Sequence, residues 1–466
     1  MPRTPRHPST PPLPTPVLRP GRARPPRAHR RRPAAALAAG ALLLTGCAFE
    51  GAPTGPAAEA DRATATAAQG TITLTVGEFG TFGYHEAGLY HEYMAAHPEI
   101  NIHTQITQDG QAYWDALAPK LALSTGLADI QAVEVGYIAQ ATSTYADAFT
   151  DLLGTPGVDP AAWLPWKAQQ GTTADGRMIG LGTDIGPMAV CYRKDLFRKA
   201  GLPTDREAVA DLWRGDWNRF VDVGRRYQAA APKGTFFTDS VGGLFNAVLS
   251  SEPQQYSDPS GRLDPQDSPG VKKAWDVAVR AAQGGMSAGL TQFQGSWNSA
   301  FYLSRFATVV CPSWMTGLIS SQSDDSASGQ WDIAQAPVAG NWGGAFLTVP
   351  KAGGHPKEAA ALAAWLTAPE QQAKVFAKVG NLPSTVAALK LPAVQQTKLD
   401  FFGDAPVGRT YAAAAQYIRP APIGRDDGTA KTVLTETGLQ AVERDGTDPK
   451  TAWNDALKLI RQKTGG

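Results

Sequence analysis

The sequence predicts an α/β protein of two lobes, and three observations carry that expectation. The first is size: 466 residues, 43% of them hydrophobic, exceed one average domain and can bury two cores. The second is the order strand, loop, helix, strand that opens the fold between residues 71 and 106. The third is the stretch from Asp175 to Pro203. Asp175-Gly176 is a turn signal, and residues 178–186 are punctuated by glycine without a helical period. Met188 to Tyr192 is an apolar run suited to a buried strand, and Asp195 to Ala200 reads as a short helix stopped by Gly201 and Pro203. A strand that passes through glycines, meets Pro187 and resumes as another strand suits a bridge between lobes.

The first 46 residues read as an export signal. They hold nine Arg and no acid, so the formal charge of +1 conceals a net acidic body and excludes a broad basic surface for nucleic acid. Arg30 to Arg32 close a positive segment, and Ala34 to Leu44 is apolar but too short to anchor stably across a bilayer. Leu44 to Cys47 resembles the bacterial lipobox, in which the cysteine is acylated and becomes the mature N-terminus. The resemblance implies lipidation at Cys47 and a place on the outer face of the cytoplasmic membrane. A cleaved signal with an incidental cysteine and an uncleaved anchor are the alternatives. The arginines also invite a twin-arginine export route, although their flanks fit it poorly. Residues 47–70, rich in Ala, Gly, Pro and Thr, read as a flexible tether. Cys191 and Cys311 each end a similar apolar run; outside the cytoplasm they either pair or stay as two buried thiols.

Along the body, Thr71 to Val76 alternates as a strand and leads into a glycine- and aromatic-rich loop from Gly77 to Tyr84. Leu89, Tyr90, Tyr93 and Met94 have helical spacing, and Ile100 to Ile106 alternates again. Trp114, Leu117, Ala118 and Leu121 mark a helix, and Ile130 to Val135 a strand ending in a loop. Leu212 to Tyr227 reads as one Trp-rich helical region, Ser250 to Pro269 as loop, and Val271 to Ala278 as helix. Phe306 to Cys311 is a strand followed by a Pro-Ser break before Trp314, and Trp453 to Ile460 closes the chain with an amphipathic helix.

Several of these stretches, in this order, resemble the extracellular solute-binding proteins of family 1 that serve sugar ABC importers. They are the crossover from Thr183 to Pro203, the strand and Pro-Ser-Trp-Met run from Phe306 to Met315, and the return from Trp331 to Pro350. The Ala-Ala-Trp-Leu-Thr-x-Pro-Glu-Gln-Gln run from Ala363 to Gln372 and the Gly-x-x-Pro-Ser crossing from Gly380 to Ser384 complete the set. The resemblance implies a type II periplasmic-binding-protein-like fold similar to maltose-binding protein, with discontinuous lobes joined by a hinge. One lobe takes residues 71–184 and 340–382, the other 187–335 and 385–464. It implies a carbohydrate ligand, ABC permease subunits as partners, a monomer, no cofactor and no catalysis.

A sugar presents hydroxyls at its rim and C–H faces above and below its ring, so its site needs carboxylates or amides together with flat aromatic surfaces. Of twelve Trp, Trp114, Trp275, Trp365 and Trp453 lie on apolar helical stripes and read as packing. Trp314, after a strand and a Pro-Ser break, and Trp342, between Asn341 and Gly343, are the stacking candidates, with Trp297 and Tyr84 behind them. Asp184, Glu134 and Glu78, each near the end of a strand, are the hydroxyl candidates. Arg425 and Asp426 join them by their place in the last third. No P-loop lysine, no G-x-S-x-G elbow and no H-E-x-x-H occur, and His85, His91, His97 and His103 recur at a spacing that scatters them, so no metal site is expected. The remaining alternatives are a non-sugar solute such as a polyamine or polyol, or a secreted glycosidase using a carboxylate pair.

Overall fold

The computed structural model describes residues 71–465; the export signal, the tether and Cys47 lie outside the described residues. Eleven strands are described: β1 (Ile72–Phe79), β2 (Ile100–Thr107), β3 (Ile130–Glu134), β4 (Leu181–Gly182), β5 (Asp184–Ile185), β6 (Met188–Arg193), β7 (Phe236–Thr238), β8 (Phe306–Pro312), β9 (Trp331–Gln335), β10 (Ala345–Thr348) and β11 (Leu382–Pro383). They form a five-stranded sheet of order β2-β1-β3-β10-β4, a four-stranded sheet of order β7-β8-β6-β9, and a two-stranded pair β11-β5. Each large sheet is mixed: β1 runs parallel to β2 and β3 while β10 is antiparallel to β3, and β7 runs parallel to β8 while β6 is antiparallel to β8 and β9.

The side-chain alternation of a strand explains how the first sheet is covered on both faces. Along β10, Ala345 and Leu347 join Leu74, Val76 and Ile130 in a core closed by the helices Leu89–Ala96 and Pro356–Leu366. Phe346, between them, points the other way and packs with Val133, Trp114 and Leu117 of the helix Gly110–Leu123. The second lobe has one large core in which every residue of β6 is buried. The single helical region expected from Leu212 to Tyr227 is in fact two helices, Arg206–Trp213 and Trp217–Ala230. Gly215 turns between them at φ 81, and Asp216 restarts the helix by accepting the Asn218 N–H. The break lets Trp213 and Trp217, both fully buried, meet Phe220 from different directions.

Cys191 and Cys311 form a disulfide with a Cα–Cα distance of 5.7 Å, which resolves the choice left open by the sequence. The neighbouring strands β6 and β8 are in a register that sets Ala189 opposite Cys311 and Cys191 opposite Val309. The bond closes a loop with a sequence separation of 120 residues. Constraining so long a loop in the unfolded chain stabilises the fold by roughly 3–5 kcal/mol. The double variant Cys191→Ala, Cys311→Ala should therefore unfold at a clearly lower urea concentration than the oxidised protein. An unchanged midpoint would show that the bond contributes nothing to stability.

Candidate ligand-binding cleft

Three chain crossings converge where the lobes meet. The first runs from β4 through β5 to β6, the second from β9 back to β10, and the third leaves the helix Pro369–Val379 through β11. Their backbones bond directly to one another. Trp342 N–H donates to Gly186 O (2.8 Å), Thr183 N–H to Ala345 O (3.0 Å), and β11 pairs with β5. A Cβ on Gly186 would collide with the Trp342 carbonyl, so only glycine allows this approach. Gln372 knots the third crossing to the first. Its amide N–H donates to Gly182 O (2.9 Å), and its Oε1 accepts from Ser384 N (2.9 Å) and Thr385 N (3.1 Å).

Asp184 belongs to this knot. Its Oδ1 accepts the Ala345 N–H (2.9 Å) and the Thr183 hydroxyl (2.7 Å), and the side chain is buried. Behind it Lys167 is fully buried, with Nζ 3.7 Å from the centre of the Phe346 ring and no hydrogen-bond partner among the described residues. Burial pushes the Lys167 amine down to about 8, opposed by the charges of Asp184 and Glu134. Burial likewise raises the Asp184 carboxyl, opposed by Lys167 and its two donors. Both side chains lie buried beneath the hinge.

In front of the hinge lies a cavity bounded by both lobes, with room for the centres of water molecules over about 90 Å³. The first lobe supplies Glu134 at the end of β3, Gly136, and Trp166 and Gln170 of the helix Pro165–Gln170. The hinge supplies Asn341, Trp342 and Gly343, and the second lobe Asn246, Gln255, Tyr256, Arg419, Asp427 and Lys431. Two indoles and a phenol thus share one small space with six amide or carboxylate groups. Gln170 Oε1 is buried there without a donor among the described residues, an acceptor available to a hydroxyl.

The sequence-derived candidates separate into those at this cavity and those behind it. Glu134, Trp342 and Gly343 line it. Trp314 stands one ring back, donating its indole N–H to the Trp342 carbonyl (2.9 Å) with the two rings 6.4 Å apart. Asp184 does not line it, for the reason given above. Glu78 does not either: β1 continues through Phe79 instead of ending in a loop, and the buried Glu78 carboxylate accepts the Tyr90 hydroxyl. Burial pushes that carboxyl up to about 7. Tyr84 is buried against Tyr90, and Trp297 is fully buried with its N–H on Asp239 (2.7 Å). Arg425 and Asp426 pair with each other at 3.2 Å beside an outer groove, while the next residue, Asp427, turns inward. Trp166, Gln170, Asn246 and Tyr256 carried no signal of their own; only the polar loop at Ser250 to Pro269 marked where Tyr256 sits.

The cavity is closed at its outer lip by contact between lobes. The Thr432 hydroxyl donates to Gln111 Oε1 (3.1 Å), which also accepts the Tyr137 hydroxyl, and the Tyr137 ring stacks on Trp114 at 4.9 Å. Gly428 lies against that ring so closely that a Cβ would sit 2.5 Å from it.

Two mixed-sheet lobes on a three-crossing hinge, closed over a polar and aromatic cavity, define the class of type II periplasmic-binding-protein-like solute binders. Residues 88–401 match the model of the bacterial extracellular solute-binding proteins, and the chain belongs to that family. It is similar to a solved extracellular solute-binding protein of family 1, at 40% identity and a TM-score of 0.72, over 84% of this chain and 99% of that one. It is also similar in fold to an ABC-transporter-associated binding protein from B. animalis subsp. lactis Bl-04, solved in complex with beta-1,6-galactobiose (16% identity, TM-score 0.72, 84% and 97% covered). The sugar-binding protein MalE from Xanthomonas citri is a further similar structure (17% identity, TM-score 0.63, 84% and 97% covered). No curated protein matches the sequence. The chain is therefore an extracytoplasmic, non-enzymatic component of an ABC transporter, and the glycosidase alternative falls.

Two outcomes follow from this geometry. Gly428→Ala should force the lip apart and give a larger radius of gyration in X-ray scattering than the parent chain; identical scattering would contradict the tight Gly428–Tyr137 contact. The second concerns acidity. Burial, resisted by the Ser257 hydroxyl and the Gly424 N–H, pushes the Asp427 carboxyl up to about 6. A folded value raised above the unfolded one means that Asp427 favours folding fully below about pH 4 and loses that contribution as pH rises through 6. Asp427→Asn should flatten the fall of thermal stability between pH 4 and 7, by ~2 kcal/mol; an unchanged slope would contradict it.

Proposed function

We propose that this chain captures a carbohydrate, a di- or oligosaccharide, by closing its two lobes over it and presents it to the permease subunits of an ABC importer. The observation that carries the reading is the composition of the cavity wall: Trp166, Trp342 and Tyr256 beside Glu134, Gln170, Asn246, Gln255 and Asp427. Aromatic faces take the C–H faces of a sugar ring, while amides and carboxylates take its hydroxyls. Similar folds solved with beta-1,6-galactobiose, acarbose and maltose bound support the class of ligand. A polyamine suits the cavity less well, because Arg419 and Lys431 stand in the same wall as Glu134 and Asp427 and oppose a cationic ligand.

Closure works as a linked equilibrium. A ligand that bonds to Glu134 on one lobe and to Asn246 or Asp427 on the other stabilises the closed state by its preference for that state. Cys47, acylated, holds the protein at the outer face of the membrane, where residues 47–70 give it reach. The protein works as a monomer.

Calorimetry with a panel of mono-, di- and trisaccharides, polyols and polyamines tests the reading. We expect at least one saccharide to bind with a Kd in the micromolar range or tighter, and Trp342→Ala to weaken it by tenfold or more. Binding to a polyamine alone, or to no saccharide, would overturn it.

A further inference from the structure

Four charged side chains line the cavity, and the two signs stand in different situations. The carboxylates are already engaged. Asp427 accepts the Ser257 hydroxyl on Oδ1 (2.5 Å) and the Gly424 N–H on Oδ2 (3.0 Å), and Glu134 Oε2 accepts the Gly136 N–H (3.0 Å). The cations are not. Arg419 and Lys431 line the same cavity, yet neither side chain makes an ion pair or a hydrogen bond among the described residues. Away from the cleft the pattern is the opposite: Arg193 is held by Asp195, Arg206 by Asp332, and Arg425 by Asp426.

Lys431 makes the contrast sharpest. It follows Asp427 by four residues on the helix Asp427–Thr432, the spacing at which an acid and a lysine ordinarily pair. Asp427 instead turns both oxygens to Ser257 and Gly424, and the ammonium is left to the cavity. Lys431 is half-buried and Arg419 exposed, so both remain accessible to a ligand. A cation facing a cavity between low-dielectric walls attracts an opposite charge more strongly than one on an open surface does.

We propose that the ligand is an acidic saccharide, one unit of which is a uronic acid whose carboxylate is held by Arg419 and Lys431. The proposal rests on the carbohydrate reading of the cleft and narrows its substrate class. Hydrogen bonds between an ionised carboxylate and a guanidinium or ammonium are about twice as strong as neutral ones, so these two residues set the preference for an acidic sugar over its neutral counterpart. A phosphate group suits the wall less well, because its second charge would meet Glu134 and Asp427 in the same cavity.

Calorimetry compares glucuronate with glucose, galacturonate with galactose, and α-1,4-digalacturonate with α-1,4-galactobiose; glucose 6-phosphate is the remaining probe. We expect the parent chain to bind at least one uronide tenfold or more tightly than its neutral counterpart. The double variant Arg419→Gln, Lys431→Gln should bring that ratio close to one while melting within about 2 °C of the parent. Lys431→Arg retains the charge and should retain the preference. An equal ratio in the parent and the double variant would overturn the assignment of these residues, and tightest binding of glucose 6-phosphate would overturn the carboxylate. A parent chain that binds neutral saccharides as well as uronides would overturn this inference and leave the carbohydrate reading standing. One that binds no saccharide, neutral or acidic, would overturn both.

Discussion

The Gly182 carbonyl is the point on which the two-lobed arrangement turns. It accepts from Trp163 Nε1 (2.8 Å), Gln372 Nε2 (2.9 Å) and Ser384 Oγ (2.8 Å), so one oxygen at the end of the first crossing gathers the third. A buried amide left without these partners would cost about 1–3 kcal/mol for each unmet group. Gln372 satisfies both ends of its side chain at once, which fixes where the third crossing must pass. Asp184, two residues beyond Gly182, does the same for the second crossing through the Ala345 N–H. The hinge is a set of mutually satisfied backbone groups, with the Lys167 side chain buried beneath.

This construction separates what must stay fixed from what must move. The crossings are joined by short backbone bonds in a buried setting. The lip, by contrast, is joined by one inter-lobe hydrogen bond from Thr432 to Gln111 and by van der Waals contact of Gly428 with Tyr137. Opening the lip sacrifices little, on the order of 1 kcal/mol for the hydrogen bond, whereas shearing the hinge would break several buried bonds together. In the proposed function, a ligand spanning Glu134 and Asp427 would decide the balance with a modest differential affinity.

Much of the fold was legible because its signals are local. The apolar run from Met188 to Tyr192 and the Ala-Ala-Trp-Leu to Glu-Gln-Gln stretch became β6 and the two helices around Gln372. The site was less legible, because its residues are placed by contacts remote in sequence. Asp427 reaches the cavity wall through a buried hydrogen bond from Ser257, 170 residues away, and Tyr256 arrives with that same loop. Asp184 sits behind the cavity for a different reason. Its position on a crossing was readable, but which way a two-residue strand points depends on a pleat that no periodicity in so short a run can reveal. Glu78 lies away from the cavity because its strand runs three residues further than the alternation from Thr71 to Val76 predicted.

Hydrogen exchange of individual amides, with and without a bound saccharide, tests the separation of fixed hinge from mobile lip most directly. The account predicts that the amides of Trp342, Ala345 and Ser384 are strongly protected in both states, while those of residues 427–432 and 135–137 gain protection only when the saccharide binds. Hinge amides that exchange as readily as the lip, or that change with ligand as much as the lip does, would contradict it.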